Sequence, residues 1–333
     1  MIRDEQVLDE DTVPEEELVV HRQEEYRRLY QSLREDSTGD LTYLLGPTGT
    51  GKTMCAQIAA DRRTGINGPK TSHIDCWGNY ERLDVLCRAV ADLRDNVVAH
   101  RQSTPRAQLL DYLREPADGT RVVILDEADQ LHDRAVIYDL IESPALHVVL
   151  IANNEDDLFD GIDDRLRSRL AVGTRIMFPE YSATELSAIL SKRAEHAFHY
   201  GHAVTDRQLD HFAEAADGDA RVAIRCLREA AEMARNQNCE RISDEHVEKS
   251  IPLAKRRLRQ KSRDKMNQHQ NAVLDVVDEH GPLRSTAIAE HYQDLVDEPR
   301  GDRRVRTYLS KLVHYNHLRK TGPDHAPAYE KIG

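Results

Sequence analysis

Gly46-Pro47-Thr48-Gly49-Thr50-Gly51-Lys52-Thr53 decides how this chain is read, because Gly46, Gly51, Lys52 and Thr53 complete the pattern G-x-x-x-x-G-K-[ST]. Glycines at 46, 49 and 51 let successive backbone N–H groups turn inward around a triphosphate. A helix starting beside them turns its positive end to the same anion. Lys52 reaches the β- and γ-phosphates, and Thr53 is placed to hold Mg²⁺. All eight residues are therefore expected to contact ATP or ADP with its magnesium. The apolar run Leu41 to Leu45 precedes the loop and Met54 to Ala60 follows it, giving the strand, loop and helix order that the motif requires.

A nucleotide loop needs metal and water machinery to become an enzyme. Val122-Val123-Ile124-Leu125-Asp126-Glu127 is a β-rich apolar run that ends in two carboxylates, as a buried parallel strand delivering acids to its carboxyl edge would. Asp126 is expected in the Mg²⁺ shell and Glu127 to polarise the attacking water. The string Asp126-Glu127-Ala128-Asp129 invites a DEAD-box helicase, but the chain lacks the second core domain such enzymes need. Val148 to Ala152 is a further strand-like run, ending at Asn153, which can orient the lytic water; Asn154 competes for that role. Asp164 to Leu170 then packs Arg165, Arg167 and Arg169 into five positions before the strand-like Gly173 to Phe178. Gly218-Asp219-Ala220-Arg221 opens an amphipathic run through Met233 and puts Arg221 in the first turn of a helix.

Loop, Asp-Glu strand, Asn strand, arginine cluster and Gly-Asp-Ala-Arg helix, in that order, resemble an AAA+ ATPase. In detail they are similar to the archaeal origin-recognition and cell-division-cycle (Orc/Cdc6-type) replication initiators. Val13-Pro14, His21-Arg22 and Glu24-Glu25 resemble the family's segment under the adenine, with a longer gap between its halves. The resemblance covers nearly the whole chain. It implies an α/β fold: a three-layer P-loop domain with a parallel sheet over residues 1–178, a helical lid over 179–258 and a winged helix over 259–333. It also implies Asn153 as sensor 1, Arg221 as sensor 2 near the γ-phosphate, and Arg169, with Arg165 second, as the finger acting on a neighbouring subunit's nucleotide. A monomer is then expected to hydrolyse ATP slowly. The stretch from Trp77 to Arg121 falls where the family inserts its initiator-specific helices, making Arg101, Ser103 and Arg106 candidates for DNA contact.

The C-terminal end carries an independent signal. Residues 254–333 hold 16 Lys+Arg against 11 Asp+Glu, a net of +5, while the remainder is at −18. An acidic chain that keeps a basic end does so for a polyanion, or simply solvates it. Helices are expected at Asn271–Glu279, Ser285–Tyr292 and Asp302–His317, and short strands at Leu318–Lys320 and Ala328–Glu330 around a Gly-Pro-Asp turn. In this winged-helix layout Val305, Leu309, Leu312 and Val313 form the buried stripe of the third helix. Arg303, Arg304, Arg306, Thr307, Ser310 and Lys311, with Arg319 and Lys320 on the first strand, lie where a duplex would meet them. The wing, Thr321-Gly322-Pro323-Asp324-His325, departs from the family in lacking its glycine-arginine tip. The lid is read from apolar spacing at Leu186, Ile189 and Leu190, then Leu209 and Phe212, then Val222, Ile224 and Leu227. The basic stretch Ala254 to Lys265 bridges to the winged helix, as a phosphate contact or a solvated face.

Composition narrows the setting. At 39% hydrophobic the chain is not disordered, and it has no apolar stretch long enough for a bilayer and no signal peptide at its charged start, so a cytoplasmic, nucleoid-associated protein without a membrane partner is expected. Five cysteines with no C-x-x-C pair argue for reduced thiols rather than structural zinc. His196, His199 and His202 are spaced by three, but the last follows Gly201, a poor arrangement for a metal. Only 10 of the 46 basic residues are lysine and acids abound, as in proteins of a salt-loaded cytoplasm. The leading functional expectation is an initiator that binds origin duplex, self-associates there and helps load the replicative helicase. A Holliday-junction branch-migration motor and a nucleotide-bound DNA-binding regulator without enzymatic turnover are the alternatives.

Overall fold

The computed structural model describes residues 1–33, 41–64, 70–79, 81–116, 121–143, 146–159, 162–315, 317–323 and 327–332. The chain divides into two compact units, Met1–Ile251 and Pro252–Gly333.

In the first unit α1 (Gln23–Ser32) leads into β1 (Leu41–Leu45), and α2 (Lys52–Thr64) starts within the glycine loop. There follow β2 (Thr71–Asp75), α3 (Arg82–Leu93), α4 (Arg106–Arg114), β3 (Arg121–Asp126), α5 (Ala135–Ile141) and β4 (Leu146–Ala152). Two short helices, α6 (Glu155–Phe159) and α7 (Asp164–Ala171), precede β5 (Thr174–Met177). The five strands are all parallel, in the order β2-β3-β4-β1-β5. Strand alternation divides the core between two faces. Leu41, Tyr43 and Leu45 pack with α3, α4 and α5 on one face. Leu44, Val122, Ile124 and Val149 pack with Cys55, Ala56, Ala59 and Ala60 of α2 on the other. Strands covered on both sides read as continuous apolar runs, which is why β1, β3 and β4 stand out in the sequence. The strand expected from Val148 begins two residues earlier, at Leu146.

The stretch expected to be an initiator insert builds core. Val85, Leu86, Ala89, Val90 and Leu93 of α3 and Leu109, Leu110 and Leu113 of α4 belong to the main apolar cluster. Arg101 donates to Asp84 at 2.9 Å, whereas Arg106 is exposed.

Three helices follow: α8 (Ala183–Ala197), α9 (Asp206–Ala216) and α10 (Ala220–Asn236). Capping boxes at Ser182/Glu185 and Thr205/Gln208 open the first two, and Asp219 caps the third. The first residues of the chain strap this bundle. Ile2 bridges Phe198, the N–H of Arg3 donates to the Ala197 carbonyl, and Leu8, in a 3₁₀ turn (Gln6–Leu8), is 1% exposed. Then α11 (Asp244–Lys265), which contains Pro252, begins in the first unit and ends in the second.

The second unit has three helices, α12 (Gln268–His280), α13 (Ser285–Leu295) and α14 (Asp302–His314), and a three-stranded antiparallel sheet. The sheet runs in the order β6 (Leu283–Arg284), β8 (Ala328–Lys331), β7 (Leu318–Thr321), which is the winged-helix arrangement. Val305, Leu309 and Leu312 are buried as expected, and Tyr308 joins them; Val313 is half-buried. The expected run of α14 to His317 is corrected: the helix stops at His314, and the N–H of His317 closes it on the Leu312 carbonyl, a 6→1 bond of helix ends. His317 then turns inward and feeds β7. Asp324 and His325 of the wing lie outside the described residues. Among the described residues, no helix is long and apolar enough to cross a membrane.

Candidate functional site

The parallel sheet brings three carboxyl ends to one edge: the glycine loop after β1, Asp126 at the end of β3, and Asn153 after β4. The N–H of Gly46 donates to the Asn153 carbonyl at 3.1 Å, tying the loop to the neighbouring strand. Gly49 has φ +77°, and a Cβ there would lie 1.8 Å from Asp219 Oδ1. Glycine is required at this position both by conformation and by space. Thr50 Oγ1 closes the turn on the Pro47 carbonyl at 2.8 Å. Pro47, Thr48, Gly49 and Gly51 are half-exposed, leaving the loop accessible.

Lys52 is buried, and its ammonium donates to the carbonyls of Gly46 and Pro47 at 2.5 and 2.6 Å. Burial pulls its pKa down to about 8 against the counter-pull of Asp126, and Arg221 adds to the depression. Thr53 Oγ1 donates to Asp126 Oδ2 at 2.8 Å. Asp126 Oδ2 also meets His73 Nε2 at 3.3 Å, and Oδ1 accepts the Glu127 N–H at 3.0 Å. Burial would raise the Asp126 carboxyl, but the His73 and Thr53 hydrogen bonds with the Lys52 charge hold it below the ordinary value. Glu127 sits in the left-handed region, φ +54°, where the chain turns off β3 into a 3₁₀ turn at Ala128–Gln130. Non-glycine residues held there gather at functional sites.

The helical bundle reaches the same loop. The N–H of Ala220 donates to the Gly49 carbonyl at 3.1 Å, seating the start of α10 on the loop. Asp219 Oδ1 caps α10 through the Arg221 and Val222 N–H groups, and Asp219 Oδ2 accepts from the Arg221 guanidinium at 3.1 Å. Arg221 thus stands beside the loop, while Asn154 is committed elsewhere: its amide caps α6 through the Asp157 N–H at 2.8 Å. That leaves Asn153 as the candidate at the end of β4.

Arg169 does not join this cluster. It lies on the exposed face of α7 and pairs with Glu142 at 2.8 Å; Arg165 lies over the Tyr138 ring at 4.8 Å and Arg167 over Phe159 at 5.8 Å. Leu166 and Leu170 bury the opposite face.

Three features escaped sequence reading. Arg22, quoted above only as part of an adenine segment, is 2% exposed and knots three parts of the site. Its Nε donates to the Thr50 carbonyl at 3.0 Å, its Nη2 to the Pro179 carbonyl at 2.5 Å and its Nη1 to Glu25 at 3.1 Å, with Tyr181 stacked at 3.9 Å. Burial pushes the Tyr181 hydroxyl up to about 12. The second feature is the His73 contact with Asp126, and the third is the N-terminal strap. The positive φ of His21, +65°, turns the chain into Arg22; histidine visits left-handed backbone more often than most residues but marks it far less than glycine does.

In the second unit Arg303, Arg306 and Ser310 of α14 are exposed, with Arg304, Thr307 and Lys311 half-buried. The Thr307 hydroxyl donates to the Arg303 carbonyl at 3.1 Å. Lys320 is exposed on β7, and Arg319 pairs with Glu330 across the hairpin at 3.1 Å.

Comparison with known proteins identifies the family of the chain. An AAA domain matches residues 34–157, and the Cdc6 AAA+ ATPase-type lid domain matches residues 187–251. "ORC1-type DNA replication protein 9" of Halobacterium salinarum is 40% identical over 337 residues, spanning 100% of this chain and 94% of the relative. "ORC1-type DNA replication protein 1" of the same organism is 36% identical over 313 residues, spanning 92% and 100%. Among solved structures, the Aeropyrum pernix ORC1 protein in complex with DNA matches with a TM-score of 0.72 at 25% identity, over 99% of this chain and 92% of that one. The chain is an AAA+ ATPase with a Cdc6-type lid and belongs to the family of ORC1-type DNA replication proteins.

Proposed function

We propose that this protein is a nucleotide-switched replication initiator that binds origin duplex, self-associates there and helps load the replicative helicase, acting in the cytoplasm on the nucleoid. The observation carrying this reading is the junction at the glycine loop, where Thr53 meets Asp126 and the lid helix bearing Arg221 is hydrogen-bonded to Gly49. A lid fastened to the phosphate loop is positioned to respond to what that loop holds.

Gly46 to Thr53 cradle the phosphates of ATP or ADP, and Lys52 supplies the charge that meets them. The hydroxyl of Thr53 and the carboxylate of Asp126, 2.8 Å apart, are hard oxygen donors of the kind Mg²⁺ takes, so the residues fit the ion. Magnesium, when bound, offsets negative charge on the β- and γ-phosphates. Glu127 accepts a proton from the attacking water while Asn153 orients it. Arg221 exchanges its Asp219 partner for the γ-phosphate. Arg169, outside its own site and exposed, serves a neighbouring protomer, so hydrolysis by the isolated protein is slow.

The winged helix meets double-stranded DNA through Arg303, Arg304, Arg306, Ser310 and Lys311 of α14 and Lys320 of β7. Arg319 and Thr307 already hold internal partners and contribute less. Likeness to a relative solved with DNA supports this part of the reading.

The test compares wild type with Glu127→Gln. The variant should bind ATP normally, hydrolyse it on the order of 10²-fold or more slowly, and remain at replication start sites when its genomic positions are mapped. Wild-type turnover by Glu127→Gln, or genomic peaks away from replication starts, would sink the proposal.

A further inference from the structure

Asp126 is held by a closed circuit of side chains that the usual parts of a nucleotide site do not explain. Thr53 and Gln57 lie four residues apart on α2 and so share one face of that helix. In β2 the buried residues Ser72 and Ile74 alternate with Thr71, His73 and Asp75. Ile74 packs into the core on the α3 side, so alternation sends His73 to the α2 side of the sheet. There Gln57 Nε2 donates to His73 Nδ1 at 2.7 Å, and His73 Nε2 faces Asp126 Oδ2 at 3.3 Å. The same Oδ2 accepts the Thr53 hydroxyl.

The Gln57 contact selects the tautomer. With an amide N–H donated to Nδ1, the neutral imidazole carries its proton on Nε2 and can only donate to the carboxylate. Oδ2 thereby receives two donors from two sides, Thr53 and His73, while the Glu127 N–H holds Oδ1. A carboxylate fixed at both oxygens has no freedom to swing off the phosphate loop.

We propose that His73, locked by Gln57, is a positioning residue for Asp126 and sets how tightly the nucleotide site takes Mg²⁺, without contacting nucleotide itself. This rests on the nucleotide-site reading above. Outer partners of metal-binding carboxylates and histidines contribute 10- to 100-fold in metal affinity, which gives the scale of the effect.

The experiment uses the full chain and a fluorescent ATP analogue bearing a methylanthraniloyl group, titrated with MgCl₂ in high-KCl buffer and, separately, in EDTA. His73→Phe keeps a ring but removes both nitrogens; His73→Gln restores an N–H donor near the position of Nε2. His73→Phe should raise the Mg²⁺ concentration for half-maximal enhancement of binding about 10-fold, with binding in EDTA within twofold of wild type. His73→Gln should recover most of the shift. Gln57→Leu, which leaves the imidazole in place but frees its tautomer, should give a smaller shift in the same direction and covers the case in which His73→Phe does not fold. A Mg²⁺ midpoint unchanged in His73→Phe, or a His73→Gln protein as impaired as His73→Phe, would overturn the proposal while leaving the nucleotide site intact. Failure of the wild-type protein to bind the analogue under any condition would instead remove the nucleotide site, and this inference with it.

Discussion

Replacing Gly49 by alanine tests the junction between loop and lid directly. At φ +77° an L-residue adds strain of about 1 kcal/mol. The new Cβ would also sit 1.8 Å from Oδ1 and 2.2 Å from Cγ of Asp219, so that side chain must leave. Asp219 is the N-cap of α10, bonded to the Arg221 and Val222 N–H groups, and losing such a cap costs about 1 kcal/mol. Its pair with the half-exposed Arg221 guanidinium adds little. Gly49→Ala should therefore destabilise the first unit by about 2 kcal/mol and Asp219→Ala by about 1 kcal/mol. In the double variant the displaced group is already gone, so only the backbone strain is new. The pair should then fall short of additivity by about 1 kcal/mol. The single tryptophan, Trp77, is 9% exposed in the first unit, and its fluorescence during guanidinium unfolding reports the four corners of this cycle. Additivity within about 0.3 kcal/mol would mean that loop and cap do not press on each other, and the coupling of loop to lid would lose its structural basis.

Three further outcomes follow from particular side chains. Burial and the Arg259 and Arg263 charges pull the His317 pKa down to about 4, below the 6.5 of a free histidine, so between these values the unfolded chain binds a proton that the native one refuses. Stability of the second unit should accordingly be intact above pH 6.5 and fall by up to about 3 kcal/mol as pH drops toward 4; hydrogen exchange of α14 amides, compared at each pH with His317→Gln, should show the loss in wild type alone. Arg22→Ala leaves the Thr50 and Pro179 carbonyls without their buried donor and should cost about 3 kcal/mol in Trp77-monitored unfolding; Arg22→Lys should recover only part, since an ammonium cannot span three acceptors. Arg306→Ala should lower the magnitude of the slope of log affinity against log KCl by about one for a duplex probe in fluorescence anisotropy, and weaken all sequences alike.

The parts of the fold that were legible are those where one residue type does one job. β1, β3 and β4 are covered on both faces and so read as unbroken apolar runs, and the glycine loop announces itself because only glycine tolerates its backbone. By contrast, β2 is Thr71-Ser72-His73-Ile74-Asp75, with a single large apolar residue; it is a strand because β3 pairs with it, which no local pattern records. Spacing treats Asn153 and Asn154 alike, and only the fold shows that the N-terminus of α6 recruits the Asn154 amide as its cap. Arg22 was hidden for a related reason: its partners Thr50 and Pro179 are carbonyls 28 and 157 residues away, and any residue supplies a carbonyl. Polar burial satisfied by backbone leaves no trace in composition or period.

The N-terminal strap shows how a protein this acidic keeps its parts joined when salt is high. Three arginines of α10 face it: Arg235 toward Glu5, Arg228 toward Asp9 and Arg225 toward Glu10. At molar salt the screening length falls to about 3 Å, so attraction between solvated charges fades. Arg235 and Glu5 are half-exposed, at 46% and 56%, and that pair loses its hold. Arg225 and Glu10 are at 15% and 1%, and Glu229, at 2%, braces the same guanidinium at 2.7 Å, so this cluster is shielded from added ions. Burial of Leu8, the backbone bond from Arg3 to Ala197 and the one from His199 to Met1 are not weakened by charge screening. The strap is therefore anchored by its buried middle and its backbone ends, and the exposed pair is dispensable. The same logic separates the strap from α14, where Arg303 and Arg306 are exposed: in such salt they would gain from DNA only by direct contact, because attraction at a distance is gone.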